Sequence, residues 1–225
     1  SPLFEWIFWD SIWMAESRKE CWDKMEVPES AACWAFIKNR LGLFVYGFYP
    51  APLRWRVNLS FVLLIMAIVP VLYDKMPGRK FGLLYATAFP FITGWLLVGG
   101  FGLSPVETDQ FGGILLTLII GVTGISFSLP IGVLLALGRR SKMPILRIVC
   151  TLFVEFIRGV PLIALLFIAS TMLNYFLPPG TVYDLLMRVL IMVTLFSAGY
   201  IAEVVRGGLQ GIPSGQYEAA ESLGL

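Results

Sequence analysis

The feature that most constrains this chain is a series of apolar stretches, each about as long as the 17 to 25 residues with which an α-helix crosses a bilayer. They run Val57 to Tyr73, Phe81 to Leu103, Phe111 to Leu137, Ile145 to Leu177 and Leu185 to about Val205. Inside hydrocarbon the backbone N–H and C=O groups must satisfy one another, which such stretches do by coiling into helices. The pattern therefore predicts five helices in an all-α, polytopic transmembrane bundle. Leu3 to Met14 hints at a sixth, but Glu5 and Asp10 interrupt it, and it reads as the tail of a helix that began upstream. Composition agrees: 57% of the residues are hydrophobic and 14% charged, against roughly 25% charged in a soluble domain. A net charge of +2 with no histidine gives neither the basic field of a nucleic-acid binder nor an imidazole for catalysis or metal binding.

Loop charges predict the orientation. Asp74 to Lys80 carries Lys75, Arg79 and Lys80, and Gly138 to Arg147 carries Arg139, Arg140, Lys142 and Arg147, so both connections should be cytoplasmic. Ser104 to Gln110 and Pro178 to Asp184 hold acidic residues and no Lys or Arg, which fits the opposite side. Ala15 to Arg56 must then lie outside despite seven Lys and Arg, among them Arg54 and Arg56 beside a helix start. The short loops decide, because long loops translocate largely regardless of charge.

With that topology Cys21 and Cys33 face an oxidising compartment, where a bridge closing so short a loop would contribute about 3 kcal/mol. Two separate buried thiols are the alternative. Cys150 lies in an apolar run and reads as a packing residue, and the absence of any C-x-x-C pair argues against a metal site. Ala32 to Arg56 carries Trp34, Phe36, Phe44, Tyr46, Phe48, Tyr49 and Trp55, as expected of chain lying along a membrane interface. Pro144 to Leu177 is 34 residues, about 51 Å as one helix, too long for a hydrocarbon core of about 30 Å. Gly159 and Pro161 predict a break there, with an interfacial or pore-side helix from about Pro144 to Arg158 and a spanning helix from about Pro161 to Leu177.

Enzymatic motifs are absent. There is no G-x-x-x-x-G-K, no G-x-G-x-x-G after a strand pattern and no G-x-S-x-G, and Ser126, Ser128, Ser170 and Ser197 have no neighbouring His or Lys to activate them. Charged residues within the apolar runs are the better lead, since burying one is costly unless it is paired or faces water. Glu155-Phe-Ile-Arg158-Gly159 and Glu203-Val-Val-Arg206-Gly207 share the pattern E-x-x-R-G. Three-residue spacing predicts a carboxylate–guanidinium pair on one face of each helix. Such pairs either neutralise a helix end, or line the mouth of a path or hold a partner. Arg188, one turn into its helix, is expected to snorkel outward. Thr117, Thr123, Ser126, Thr171 and Asn174 are candidates to line a path, and equally ordinary interhelical hydrogen-bonders.

The last segment, Gly211-Ile-Pro-Ser-Gly-Gln-Tyr-Glu-Ala-Ala-Glu-Ser-Leu-Gly-Leu225, specifies a short helix. Ser214 is a candidate N-cap, Gln216 to Leu223 are mostly good helix formers and Gly224 suits the left-handed C′ position. About nine residues are marginal alone. Small Ala219 and Ala220 would let another surface approach, Leu223 adds an apolar anchor and Glu218 a charge, so the helix reads as a knob for a partner's groove.

Tyr217-Glu218-Ala219-Ala220-Glu221-Ser222-Leu223-Gly224 resembles the EAA loop of ABC importer permeases, the cytoplasmic coupling helix that docks on the ATPase subunit. Phe153-Val-Glu-Phe-Ile-Arg158-Gly-Val-Pro161-Leu162, and Ala202-Glu-Val-Val-Arg206-Gly with Ile212-Pro-Ser-Gly-Gln216, resemble the polar-amino-acid branch, over roughly Phe111 to Leu225. Ala32-Cys33-Trp34-Ala-Phe36, Tyr46-Gly-Phe-Tyr-Pro50 and Trp55-Arg56 are similar to the long extension of general L-amino-acid importer permeases.

The resemblance implies the type I importer permease fold, with a partial first helix and periplasmic aromatic segment over 1–56, two family-specific helices over 57–110 and a core permease domain over 111–225. It implies a non-enzymatic, multi-pass subunit of a bacterial inner membrane that forms half of an amino-acid path. Its partners would be an ABC ATPase dimer that binds the ATP, a second permease subunit and a periplasmic amino-acid-binding protein, with no cofactor in this chain. The family pattern continues past the EAA glycine to I-x-L-P and a final helix, so truncation at both ends is expected. The rival is a stand-alone channel or secondary transporter using the Glu/Arg pairs as ion sites. Such folds often carry inverted repeats, yet both E-x-x-R motifs stand in the same relation to a following glycine.

Overall fold

The computed structural model describes residues 4–9, 11–24, 32–75, 77–172, 175, 178 and 183–224, and within them the apolar stretches are helices. Short α1 (Arg18–Asp23) and α2 (Ala35–Tyr46) precede long α3 (Arg54–Leu72), α4 (Arg79–Val98) and α5 (Gly113–Arg139). Then come α6 (Pro144–Gly159), α7 (Leu162–Phe167) running into a π-helical turn Ile168–Met172, α8 (Leu185–Gln210) and α9 (Ser214–Ser222). Among the described residues there are no strands beyond two isolated bridges. The chain is an all-α transmembrane bundle: α3, α4, α5 and α8 are each long and apolar enough to cross a bilayer.

The fifth expected span is a bent pair. Between α6 and α7 the axis turns by 102°, at Val160 in extended conformation and Pro161. Proline lacks an N–H and disfavours the helical conformation of the residue before it, so one helix ends and another begins. The expected run from Pro161 to Leu177 loses regular α geometry at Ile168, and its last residues lie outside those described.

The tightest pairing joins α5 to α8. Gly124, Ser128, Gly132 and Ala136 recur every fourth residue on α5 and are all buried, facing the buried stripe Thr194, Ala198 and Ala202 of α8. Small residues at that spacing let two backbones approach, which is how membrane helices associate where burial from water gives no drive between them. At Gly132 an added Cβ would lie 2.6 Å from Ile201 Cγ2 and 3.0 Å from the Ala198 carbonyl oxygen. Buried Cys150 of α6 packs against Gly138 of α5 in the same manner, in keeping with a packing role.

At the end holding the Ser104–Gln110 loop, Tyr49, Val57, Leu97, Val106, Phe111 and Leu115 form a core, and the Tyr49 hydroxyl donates to the Leu97 carbonyl at 2.9 Å. Arg56 is only 2% exposed and donates to the carbonyl and hydroxyl of Ser104, each at 2.8 Å. Its charge, which conflicted with the loop-charge rule, is thus spent on holding the α4–α5 loop, while Arg54 lies over the Tyr46 ring at 5.0 Å. This ties the end of the Ala15–Arg56 segment to the same side as Ser104–Gln110.

Two expectations for the N-terminal part change. Among the described residues of the expected helix tail, Glu5–Trp9 form a π-helical turn, and Ile12 pairs with the strand-like stretch around Cys33: its N–H donates to the Ala32 carbonyl, and Trp34 and Ala35 donate back to its carbonyl. The Cys21–Cys33 alternative is resolved as a disulfide, at a sequence separation of 12. Trp13 stacks on Trp34 at 5.7 Å, whose indole N–H donates to the Ile7 carbonyl at 2.7 Å.

Candidate functional site

The charged residues of the two E-x-x-R-G motifs converge with Arg139 where α5, α6 and α8 end together. Glu203 on α8 is the centre. It accepts from Arg206, three residues on, through Nε at 2.9 Å and also through Nη2. Its second oxygen accepts from Arg139 Nη1 of α5 at 2.7 Å and lies 3.5 Å from Arg158 Nη1 of α6. Arg139 Nη2 donates to Glu155 of α6 at 3.0 Å. Three guanidiniums and two carboxylates leave the cluster one positive charge in excess.

One of the two sequence-predicted pairs is therefore as expected and the other is not. Glu203–Arg206 is a pair within one helix, whereas no bond joins Glu155 to Arg158; Glu155 turns to Arg139 and Arg158 to Glu203. The reason is tertiary. Arg139 enters from α5 with a fork whose two arms reach carboxylates on different helices, a geometry that planar guanidinium favours. Sequence reasoning used Arg139 only as a loop charge; the available signal was an arginine in the last turn of a long apolar helix.

The next residue, Arg140, links this cluster to α9. Its Nη1 donates to the Tyr217 hydroxyl at 3.2 Å and its guanidinium lies 5.6 Å from the Tyr217 ring centre. The Tyr217 hydroxyl in turn donates to the Leu209 carbonyl at 3.3 Å. Helix α9 is nine residues long, with Pro213 at the N-cap and no side-chain cap bond. The expected N-cap, Ser214, is its first helical residue instead: Pro213, in extended conformation, takes the N-cap place, and its carbonyl accepts the Gln216 N–H at 3.0 Å. Gly224 adopts φ +75° in the left-handed region, where a side chain would meet strain. Glu218 and Ala219 are exposed, Ala220 half-buried, and Leu223 is 78% exposed.

The described candidate path residues are not brought together. Thr117 and Ser126 are exposed on α5, and the Thr117 hydroxyl donates to its own helix at Gly113. Thr123 lines a largely apolar cleft of about 630 Å³ among α3, α4, α5 and α8. Thr171 lies on the π turn with its hydroxyl donating to Phe167 at 2.7 Å, and Asn174 lies outside the described residues. Arg188 contradicts expectation: it is 8% exposed and donates to main-chain carbonyls of Tyr183 and Ser170 rather than snorkelling. One of these carbonyls, Ser170, lies in the irregular turn opposite it and the other, Tyr183, just ahead of α8, and they take its N–H groups in place of water. Among the described residues no group of His, Cys, Asp and Glu could hold a metal ion.

Residues 128–225 match the family described as binding-protein-dependent transport system inner membrane component. The whole chain is 49% identical to the inner membrane amino-acid ABC transporter permease protein YhdY of Escherichia coli, covering 60% of that protein. Over 95% of its length it is 40% identical to the glutamate/glutamine/aspartate/asparagine transport system permease protein BztC of Rhodobacter capsulatus, covering 63% of it. The chain thus spans less than two thirds of these relatives. A solved structure described as an amino acid ABC transporter with histidines is 29% identical over 48% of this chain and 50% of that one, at a TM-score of 0.44. Residues 128–225 thus match the binding-protein-dependent transport inner membrane components, and the chain as a whole is similar in sequence to proteins described as amino-acid transport permeases.

Proposed function

We propose that this chain forms half of the translocation path of an ATP-driven amino-acid importer in a bacterial inner membrane, and that α9 is the helix through which an ATPase moves it. A second permease subunit would supply the other half of the path, a periplasmic binding protein would deliver the amino acid, and ATP would be bound by the ATPase dimer alone. The chain itself performs no covalent chemistry in this reading. Its cytoplasmic end would be the one that carries Arg139, Arg140 and α9.

The observation that carries the reading is the exposed α9 braced by Tyr217 on Arg140, immediately beside the Arg139 cluster. A push on Ala219, Ala220 and Leu223 would pass through Tyr217 to the end of α5, and from Arg139 to α6 and α8 at once. Packed helices tied by ion pairs move as a body, so the expected change is a rigid-body or shear displacement. Glu155, Arg158, Glu203 and Arg206 then act as the joint that keeps three helices in step.

The test uses the full-length permease in membrane vesicles. Charge reversal at Glu218, or Gly224→Val, should abolish most uptake while ATP hydrolysis continues and the subunit stays inserted. Cysteines placed along α9 should crosslink to an ATPase subunit. Undiminished uptake in both variants, or crosslinks that never capture an ATPase, would refute the coupling role.

A further inference from the structure

At the end of the bundle opposite the Arg139 cluster, the buried guanidinium of Arg188, like that of Arg56, has no carboxylate partner among the described residues. Arg188 lies in the first turn of α8 and is 8% exposed. Its Nε and Nη2 donate to the Tyr183 carbonyl at 3.0 and 2.7 Å, and Nη1 donates to the Ser170 carbonyl at 2.7 Å. Among the described residues it makes no ion pair. Asp184, one turn earlier, is engaged elsewhere: Oδ1 accepts the Met187 N–H at 3.0 Å and Oδ2 accepts the Thr108 hydroxyl. The sequence from Thr171 to Tyr183 contains no Asp or Glu that could come to it.

Carbonyl dipoles orient a guanidinium without neutralising it, and an unneutralised cation in a membrane helix is costly enough to mark function by default. A guanidinium has five N–H groups, of which three are used among the described residues. Ser170 lies in the π-helical turn Ile168–Met172, an irregularity that recurs at functional sites. Arg188 is thus a fork, held at three points, facing a π-helical turn in the neighbouring helix and, among the described residues, without the partner that a planar fork matches best, a carboxylate.

We propose that Arg188 holds the α-carboxylate of the transported amino acid, between the first turn of α8 and the Ile168–Met172 turn, at the end of the path remote from α9. The proposal rests on the importer reading above, and it adds the group that recognises a feature common to all free amino acids. Because Nη1 also bonds Ser170, a carboxylate taking its place there would release the π turn from α8.

The experiment measures equilibrium binding to the purified full-length complex without its soluble binding protein. The probes are the common L-amino acids, each compared with its α-amide. The unaltered complex should bind at least one acid roughly 10- to 100-fold more tightly than its amide, the range of a charge-assisted pair. Arg188→Gln should bring that ratio near one. Arg188→Lys keeps a donor for the two carbonyls, guards against a failure of Gln to insert, and should lower the ratio several-fold. A mere brace would weaken acid and amide alike and leave the ratio unmoved. An unchanged ratio in either variant, or no preference for any acid in the unaltered complex, overturns the assignment. Failure of an ATPase to remain with the unaltered complex would instead overturn the importer reading, so the two failures are distinct.

Discussion

Replacing Arg139 by Met removes the charge that joins α5, α6 and α8 while keeping most of the side-chain volume, and the geometry predicts how the loss divides between its two carboxylates. The Arg139 side chain is 12% exposed, Glu203 24% and Glu155 57%. A largely exposed pair contributes about 0.2–1 kcal/mol, so the Arg139–Glu155 coupling should fall near 0.5 kcal/mol. A hydrogen bond to a charged group away from water contributes about 1.5–3 kcal/mol, and Glu203 retains Arg206 and Arg158 when Arg139 is lost. The Arg139–Glu203 coupling should therefore lie near the lower limit, about 1.5 kcal/mol. Two double-mutant cycles, Arg139→Met with Glu203→Gln and Arg139→Met with Glu155→Gln, measure these terms. The assay is reversible unfolding of the full-length permease in mixed micelles with increasing SDS. A Glu155 coupling equal to or larger than that of Glu203 would refute the argument that burial ranks the two contacts.

Further outcomes follow from the packing. Gly132→Ala should destabilise by roughly 1–3 kcal/mol, because its Cβ would meet Ile201 and the Ala198 carbonyl; Gly121→Ala, with nothing within 4 Å, should be neutral or stabilising by up to about 1 kcal/mol. The same micelle unfolding assay reads both, and equal costs would contradict the close α5–α8 approach. Cys21→Ser should loosen the N-terminal segment by about 3 kcal/mol, seen as faster proteolysis between α1 and α2 in vesicles. In the unaltered protein, maleimide should label Cys21 and Cys33 only after reduction; labelling beforehand would contradict the bridge.

Sequence alone determined the class of structure and the place of its elements. Hydrocarbon demands that backbone groups pair locally, so the apolar run lengths already mark where α3, α4, α5 and α8 lie, and Pro161 marks the break. The short α9 and its closing Gly224 were legible for the same reason, because a helix of nine residues and its cap depend on neighbours in the chain. Tertiary structure alone decided the partners of the charges. Glu155 could be assigned to Arg158 from spacing, but which guanidinium reaches a carboxylate depends on how closely three helices approach. That approach is set by Gly124 and Gly132 meeting α8 and Gly138 meeting α6; the first two belong to the four-residue small-residue rhythm Gly124, Ser128, Gly132, Ala136, which was present in the sequence without naming its counterpart. Arg188 was misjudged from sequence, and the burial of Arg56 was not foreseen, for one physical cause. A long cation near a helix end can reach water or a buried carbonyl with equal ease of chain geometry, and only the folded positions of Ser170, Tyr183 and Ser104 select the second.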